Sequence, residues 1–292
     1  MLSVKLEPLP PPHPGAHPPR RVTPPPSACD AHCHIFGPSD RFPYRADRSY
    51  QPSEAPLELY QQLAGTLGLS RAVFVQPAVY GTDHAAIIHA LLRGRGRYAA
   101  VGIIDDTVSD LELRGLHEVG MRGARLNYVG HLGARPSRTA IRSVVERIRP
   151  LGWHLVLHVD TAALLDEAVA IAELGLPIVI DHMARIDANE GLDQPGFRAL
   201  LDLLGRKNIW VKISASDRLV GAGQLNQAVP FMAALVRTAP DRILWGTDWP
   251  HPNVRWMPDD GDLVDLLADA IPDSGARDAI LTDNPARLYA FR

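Results

Sequence analysis

Short apolar runs alternate with longer amphipathic segments along most of the chain. The runs are ACDAHCHIF (28–36), RAVFVQPA (71–78), YAAVGIID (98–105), GARLNYV (123–129), HLVLHVD (154–160), PIVIDHM (177–183), IWVKIS (209–214) and ILWGTDWP (243–250). Their length and continuous apolar character predict strands covered on both faces. Between them lie segments of helical length, among them TDHAAIIHALLRG, SRTAIRSVVERIRPLG and TAALLDEAVAIAELG. Several start at Ser, Thr or Asp and stop at Gly, as helix capping requires. Eight strands, each followed by a helix, predict a closed (β/α)8 barrel. An open doubly wound sheet would usually carry a glycine-rich phosphate turn after its first strand, and the turn here is HIFGPSDRF. The closing segment NPARLYAF (284–291) predicts a last short helix.

Ahead of the first strand, PLPPPHPGAHPPRRVTPPP (8–26) is too poor in backbone donors for helix or sheet. Residues 1–27 are therefore expected as an extended arm, either a solvent-exposed tail or a strap across the domain formed by residues 28–292. A chain of 292 residues that is 46% hydrophobic and 22% charged reads as a soluble globular protein. No apolar run is long enough to cross a membrane. A net charge of −3 points to neither nucleic acid nor an anionic membrane as a general partner. Cys29 and Cys33 are the only cysteines, and a strand separates them by about 13 Å, beyond disulfide reach. With no signal-peptide pattern at the N-terminus, a cytoplasmic protein is expected.

The C-terminal strand ends of such a barrel carry the chemistry. Strand one ends in His32 and His34. Alternation along the strand predicts that these share a face with Asp30, while Cys29, Ala31 and Cys33 face the helices as small apolar fillers. Strands five, six and eight end in His158, His182 and Asp248. One histidine after an apolar run is usually a hydrogen-bonded core residue. Four histidines and an aspartate converging on one volume point to a metal site with a position left for water. His32, His34 and His158 are the expected ligands of one divalent ion, with Asp248 a further ligand or the base. His182 is expected to orient or polarise a substrate carbonyl. His84, His89, His117 and His154 carry no such positional signal, and Lys212 and His251 either line the mouth or are satisfied locally.

The segments DAHCHIFGP, QPAVYGTD, GMRGARLNY, IVIDHM and WGTDWPHPN resemble the amidohydrolase superfamily, in the branch that contains 2-pyrone-4,6-dicarboxylate hydrolase. The similarity runs from about residue 28 to the end. It implies a distorted TIM barrel and lactone hydrolysis, with Asp248 activating water. Metal-independent members of that branch carry a tyrosine where this chain has His158, the residue that metal-dependent members use. The resemblance also implies an arginine clamp for a dicarboxylate, here Arg125, Arg185 and Arg218, with His131 in place of a fourth arginine. Tyr50 and Asn253 are further candidates for substrate hydrogen bonds. Arg125 stands where two-metal members place a bridging carboxylate, so at most one metal, zinc by ligand type, is implied.

The expected function is hydrolysis of a small anionic lactone, such as a sulfomuconolactone or muconolactone, in aromatic-compound catabolism. The alternatives are a metal-independent pyrone-dicarboxylate hydrolase or lactone isomerase, a metal-dependent decarboxylase, and a non-catalytic binding protein. The last has no use for a positioned base.

Overall fold

A computed structural model describes residues 6–130 and 135–291. The first half runs β1 (Cys29–Cys33), α1 (Leu57–Leu67), β2 (Arg71–Val75), α2 (Ala85–Gly94), β3 (Tyr98–Ile103), α3 (Asp110–Val119), β4 (Met121–Asn127) and α4 (Arg138–Ile148). The second half runs β5 (His154–His158), α5 (Thr161–Ala172), β6 (Ile178–Ile180), α6 (Pro195–Leu204), β7 (Ile209–Lys212), α7 (Ser216–Leu219), α8 (Val229–Thr238) and β8 (Ile243–Leu244). Three helices close the chain: α9 (Asp260–Ala270), α10 (Ser274–Leu281) and α11 (Asp283–Tyr289). The strands form one parallel sheet in the order β1 to β8. Backbone bonds from Ala31 N to Trp245 O (2.9 Å) and from Asp248 N to His32 O (2.8 Å) draw the two edges together. Among the described residues no helix is long and apolar enough to cross a membrane.

Alternation sorts the strand residues into two layers. Val73 and Val75 of β2, Val156 of β5, Val179 of β6 and Leu244 of β8 pack into an interior cluster that Tyr289 of α11 joins. Phe74, Leu155, Leu157, Ile178 and Ile180 pack outward with the helices in the larger cluster. Caps set several helix starts. Ser109 and Glu112 form a capping box on α3, and Ser137, Asp160 and Asp273 cap α4, α5 and α10.

Strand β1 departs from strict alternation. Its register against β2 shifts between Asp30 and Cys33, the mark of a bulge. Cys29 and Ala31 consequently belong to the interior cluster, and only Cys33 packs toward the helices. Asp30 does not share the histidines' face. It latches the seam: Oδ1 accepts from Thr247 N (3.0 Å) and His32 N (3.1 Å), and Oδ2 from Thr247 Oγ1 (2.7 Å). Gly246 permits this approach, because a Cβ there would lie 2.4 Å from His32 N.

The proline-rich arm is a strap. Arg20 N and Arg21 N donate to the carboxylate of Asp265 on α9 at 2.9 and 2.8 Å, and His17 N donates to Asp259 at 3.1 Å. Farther toward the N-terminus, Leu9 N bonds to Gln51 O (2.8 Å) and Ser53 Oγ to Leu9 O (2.6 Å). The arm's few non-proline N–H groups thus find acceptors in side-chain carboxylates and a backbone carbonyl. The strap ends beside the loop that carries Tyr50.

Candidate active site

The C-terminal strand ends converge on a narrow cleft. It is lined by His34, Tyr50, Arg125, His158, His182, Arg185, Arg218, Asp248 and Asn253. His32 lies just beneath. Its ring is fully buried, as are Asp181 and Lys212. Asn253 is exposed at the rim and Arg185 half-buried. His131 lies outside the described residues. The remaining histidines sit elsewhere: His84 bonds to the Ile103 carbonyl, His117 accepts from Trp153 Nε1, and His89 and His154 pack against Phe42 and Tyr289.

Asp248 is the centre of the arrangement. Its Oδ2 accepts two bonds from Arg218, from Nε at 2.8 Å and Nη2 at 2.6 Å. Its Oδ1 faces three imidazoles: His34 Nε2 at 3.2 Å, His32 Nε2 at 3.5 Å and His182 Nε2 at 3.7 Å. Burial alone would raise this carboxyl, but Arg218 and the surrounding rings hold it well below the usual carboxylate range. The carboxyl is therefore held in its ionised form. Burial first, then Lys212, pushes His32 well down, and burial, then Arg125, does the same to His158. Burial lowers His182 to about 4, against the opposing pull of Asp248.

Hydrogen bonding fixes one tautomer. His34 Nδ1 donates to the Val75 carbonyl at 2.8 Å, since a carbonyl only accepts. In the neutral ring Nε2 then turns a lone pair toward Asp248 Oδ1. Two such atoms at 3.2 Å call for a proton or a cation between them.

That geometry suits a single ion. Two donor atoms bound tetrahedrally at about 2.0 Å stand about 3.3 Å apart. The separations of Asp248 Oδ1 from His34 Nε2 and His32 Nε2, 3.2 and 3.5 Å, bracket that value. His32 Nε2 is buried with no hydrogen bond. Among the described residues two groups could hold a metal: His32, His34 and Asp248, and His32, Asp181 and His182. His158 is in neither group. It stands edge-on to His182, ring centres 5.5 Å apart.

Beneath the cleft runs a charged floor. Lys212 Nζ is 3.0 Å from His32 Nδ1 and 3.2 Å from Asp181 Oδ1, and Arg125 Nη2 is 3.4 Å from Asp181 Oδ2. Asp181 was not singled out from the sequence, where His182 beside it drew the attention. The signal was available, because counting by twos inward from Val179 on β6 reaches residue 181, and from Trp210 on β7 reaches Lys212.

The backbone here is unusual. Ten described non-glycine residues have positive φ, and eight of them lie in three loops at this end of the barrel. They are His182–Arg185 (φ 51–54°), Ala215 (54°), Asp248 (64°), His251 (58°) and Asn253 (68°). Each costs about 1–2 kcal/mol relative to ordinary backbone, and such residues concentrate where a site needs them.

The charges of the cleft and its floor do not balance. Asp181 and Asp248 face Lys212, Arg125, Arg185 and Arg218, leaving two positive charges over. Arg218 is occupied by Asp248, whereas Arg185 makes no ion pair among the described residues. A small dianion would complete the balance.

A family profile described as amidohydrolase matches residues 29–291. Over 276 residues the chain is 37% identical to 2-pyrone-4,6-dicarboxylate hydrolase of Comamonas testosteroni, covering 91% of this chain and 90% of that one. It is also 37% identical over 276 residues to 4-sulfomuconolactone hydrolase of Hydrogenophaga intermedia, covering 93% and 91%. Among solved structures, a Pseudomonas putida protein provisionally named a 2-pyrone-4,6-dicarboxylic acid hydrolase superposes with a TM-score of 0.82. It is 34% identical, with 91% of this chain and 98% of that chain covered.

Proposed function

The chain belongs to the amidohydrolase family, and on that footing we propose that it opens the ring of a small lactone carrying two anionic groups, by hydrolysis. The observation that supports this reading most is an ionised carboxylate, Asp248, with one oxygen ringed by imidazoles inside a cleft that has two positive charges in excess. Relatives that share over a third of its residues are named for hydrolysing a pyrone dicarboxylate and a sulfomuconolactone. Both names describe anionic substrates.

In this reading Arg185 and Arg125 draw the anionic groups into the cleft, and Tyr50 and Asn253 border the ring. Arginine suits a carboxylate or sulfonate because its planar fork donates two bonds at once. Asp248 Oδ1 takes a proton from water as the water oxygen bonds to the lactone carbonyl carbon. His182 Nδ1 lies 2.9 Å from Ser214 Oγ. With that hydroxyl donating, the neutral ring carries its proton on Nε2 and presents it to the oxyanion. Collapse breaks the ring C–O bond. The proton held by Asp248 passes to the leaving oxygen, so water and lactone together account for every atom of the ring-opened acid. His32, His34 and Asp248 would hold one zinc-like ion, which would supply Lewis acidity toward the carbonyl.

One observation favours a second reading without an ion. Lys212 Nζ is 3.0 Å from His32 Nδ1, and an ammonium donating there puts the neutral ring's proton on Nε2, the atom an ion would need. Assaying a panel of mono- and dianionic lactones, with added zinc and after chelation, separates the possibilities. Turnover of dianionic lactones that chelation removes and zinc restores supports the ion. Turnover unaffected by chelation supports the second reading, and no turnover of any lactone sinks both.

A further inference from the structure

A second buried cluster lies behind the site, on the far side of the loop that follows β8. His251 is 1% exposed, and the carboxyls it faces, Asp217 and Asp260, belong to residues 2% and 1% exposed. Its Nε2 donates to Asp260 Oδ1 at 3.2 Å, and its Nδ1 stands 3.5 Å from Asp217 Oδ2. The three residues come from three separate elements: the loop, the single turn of α7, and the first residue of α9.

Asp217 is the neighbour of Arg218, and the two adjacent residues hold the same loop from opposite sides. Arg218 reaches into the cleft, where it binds the Asp248 carboxylate and the Pro252 carbonyl. Asp217 faces His251, between those two anchor points. The loop's own bonds tie them together: His251 N donates to Asp248 O at 2.8 Å, and Val254 N to His251 O at 3.2 Å. Asp248, His251 and Asn253 are all left-handed, so the loop holds a backbone form that isolated non-glycine residues avoid. Something outside the loop has to hold it there. Asp260 supplies a fixed point, since it begins an eleven-residue helix that is largely buried and packs against α8 and α1.

We infer that His251 is a positioning residue which, braced between Asp217 and Asp260, holds Asp248 and Arg218 at the spacing that ring opening requires. The inference rests on the proposed function only in naming Asp248 as the base. His251 is not among the described residues that line the cleft, and acts through the loop it anchors. A displacement of about 1 Å at a reacting group is enough to cost about 10²-fold in rate.

The test compares wild type with His251→Ala and His251→Asn in the full-length chain, at a temperature where circular dichroism shows each to be folded. Expected for His251→Ala is a kcat lower by about 10²-fold with KM little changed. Faster hydrogen–deuterium exchange in the peptide covering 248–254, with the β2–β5 peptides unchanged, should accompany it. His251→Asn keeps a donor near Asp217 and should recover part of the kcat. If His251→Ala does not fold, Asp260→Asn takes its place with the same expectations. Folded protein with wild-type kcat, or with KM alone altered, overturns the inference whatever the melting temperature. Exchange decides it independently if no lactone is turned over: unchanged exchange at 248–254 overturns the bracing, and faster exchange confined there upholds it.

Discussion

The lower and upper halves of the barrel interior come from the same eight strands and the same two-residue period, yet they are built on opposite principles. The lower half is a mainly apolar cluster, with Val73, Val156, Val179 and Leu244 packed beside Trp210 and Tyr289, and one buried imidazole, His154, against the Tyr289 ring. The upper half buries Asp181, Lys212, Arg125, His32 and Asp248 in mutual contact. Below, no described non-glycine strand residue has positive φ, even where β1 and the β3–β4 pairing shift register, whereas above, the connecting loops contain eight left-handed non-glycine residues. The lesson is that alternation decides only which residues face inward. What they do there depends on whether they stand before or after the end of the sheet. We expect stability to be concentrated in the first group and reactivity in the second.

Substitutions in the two halves should separate these properties. The largest effect is expected from Asp248→Asn, which removes the proposed base while keeping the shape. Turnover of the best lactone should fall by about 10³-fold or more, with the far-ultraviolet dichroism unchanged; an active variant would refute the assignment. Next comes a pH effect confined to the upper half. Asp260 and Asp217 outweigh burial and raise His251 to about 10, above an unfolded value of about 6.5. The folded chain therefore keeps a proton that the unfolded chain releases. Its stabilising contribution is complete below about pH 6.5 and is lost as pH rises toward 10, a change on the order of a few kcal/mol. Urea unfolding at pH 6 and pH 9 should show wild type losing stability and His251→Asn losing much less. Equal losses would mean that the proton is not held.

Arg185→Met should raise KM for a dianionic lactone by about 10- to 100-fold, the worth of a lost charged hydrogen bond, and leave the melting temperature within a degree or two. Arg185 makes no ion pair among the described residues, so the fold should tolerate its loss. Below the sheet's end the pattern should invert. Val156→Ala should cost about 2 kcal/mol of unfolding free energy with kcat unchanged, measured by denaturant titration and initial rates on the same sample. A fall in kcat there would show that the two halves are coupled.

The barrel was legible in the sequence because eight apolar runs and their caps repeat a simple period, and the strand order needs nothing more. The convergence of His32, His34, His182 and Asp248 was also legible, since each follows an apolar run at the same relative place. Three features were not. A bulge is one extra residue, so alternation in β1 assigned Cys29 and Asp30 to the wrong faces. β8 is only Ile243–Leu244, and the segment after it turns left-handed at Asp248, which no periodicity announces. The grouping of donors depends on position around the barrel's circumference. His158 stands against His182 and under the influence of Arg125, while His32 of β1 meets Lys212 of β7 over the intervening β8. The question of an ion has thus moved from His158 to the tautomer of His32.

The strap has a consequence for the order in which the molecule is assembled. Its anchor on α9, Asp265, lies 245 residues further along the chain than Arg20. At roughly 5–20 residues per second of synthesis, the arm waits roughly 10–50 s before its binding surface exists. During that interval the arm has no home. Its prolines make the delay harmless, because a segment short of backbone N–H groups can neither coil into a premature helix nor add itself to the exposed edge of a half-built sheet. The composition that keeps the arm out of regular structure also keeps it available for the last step.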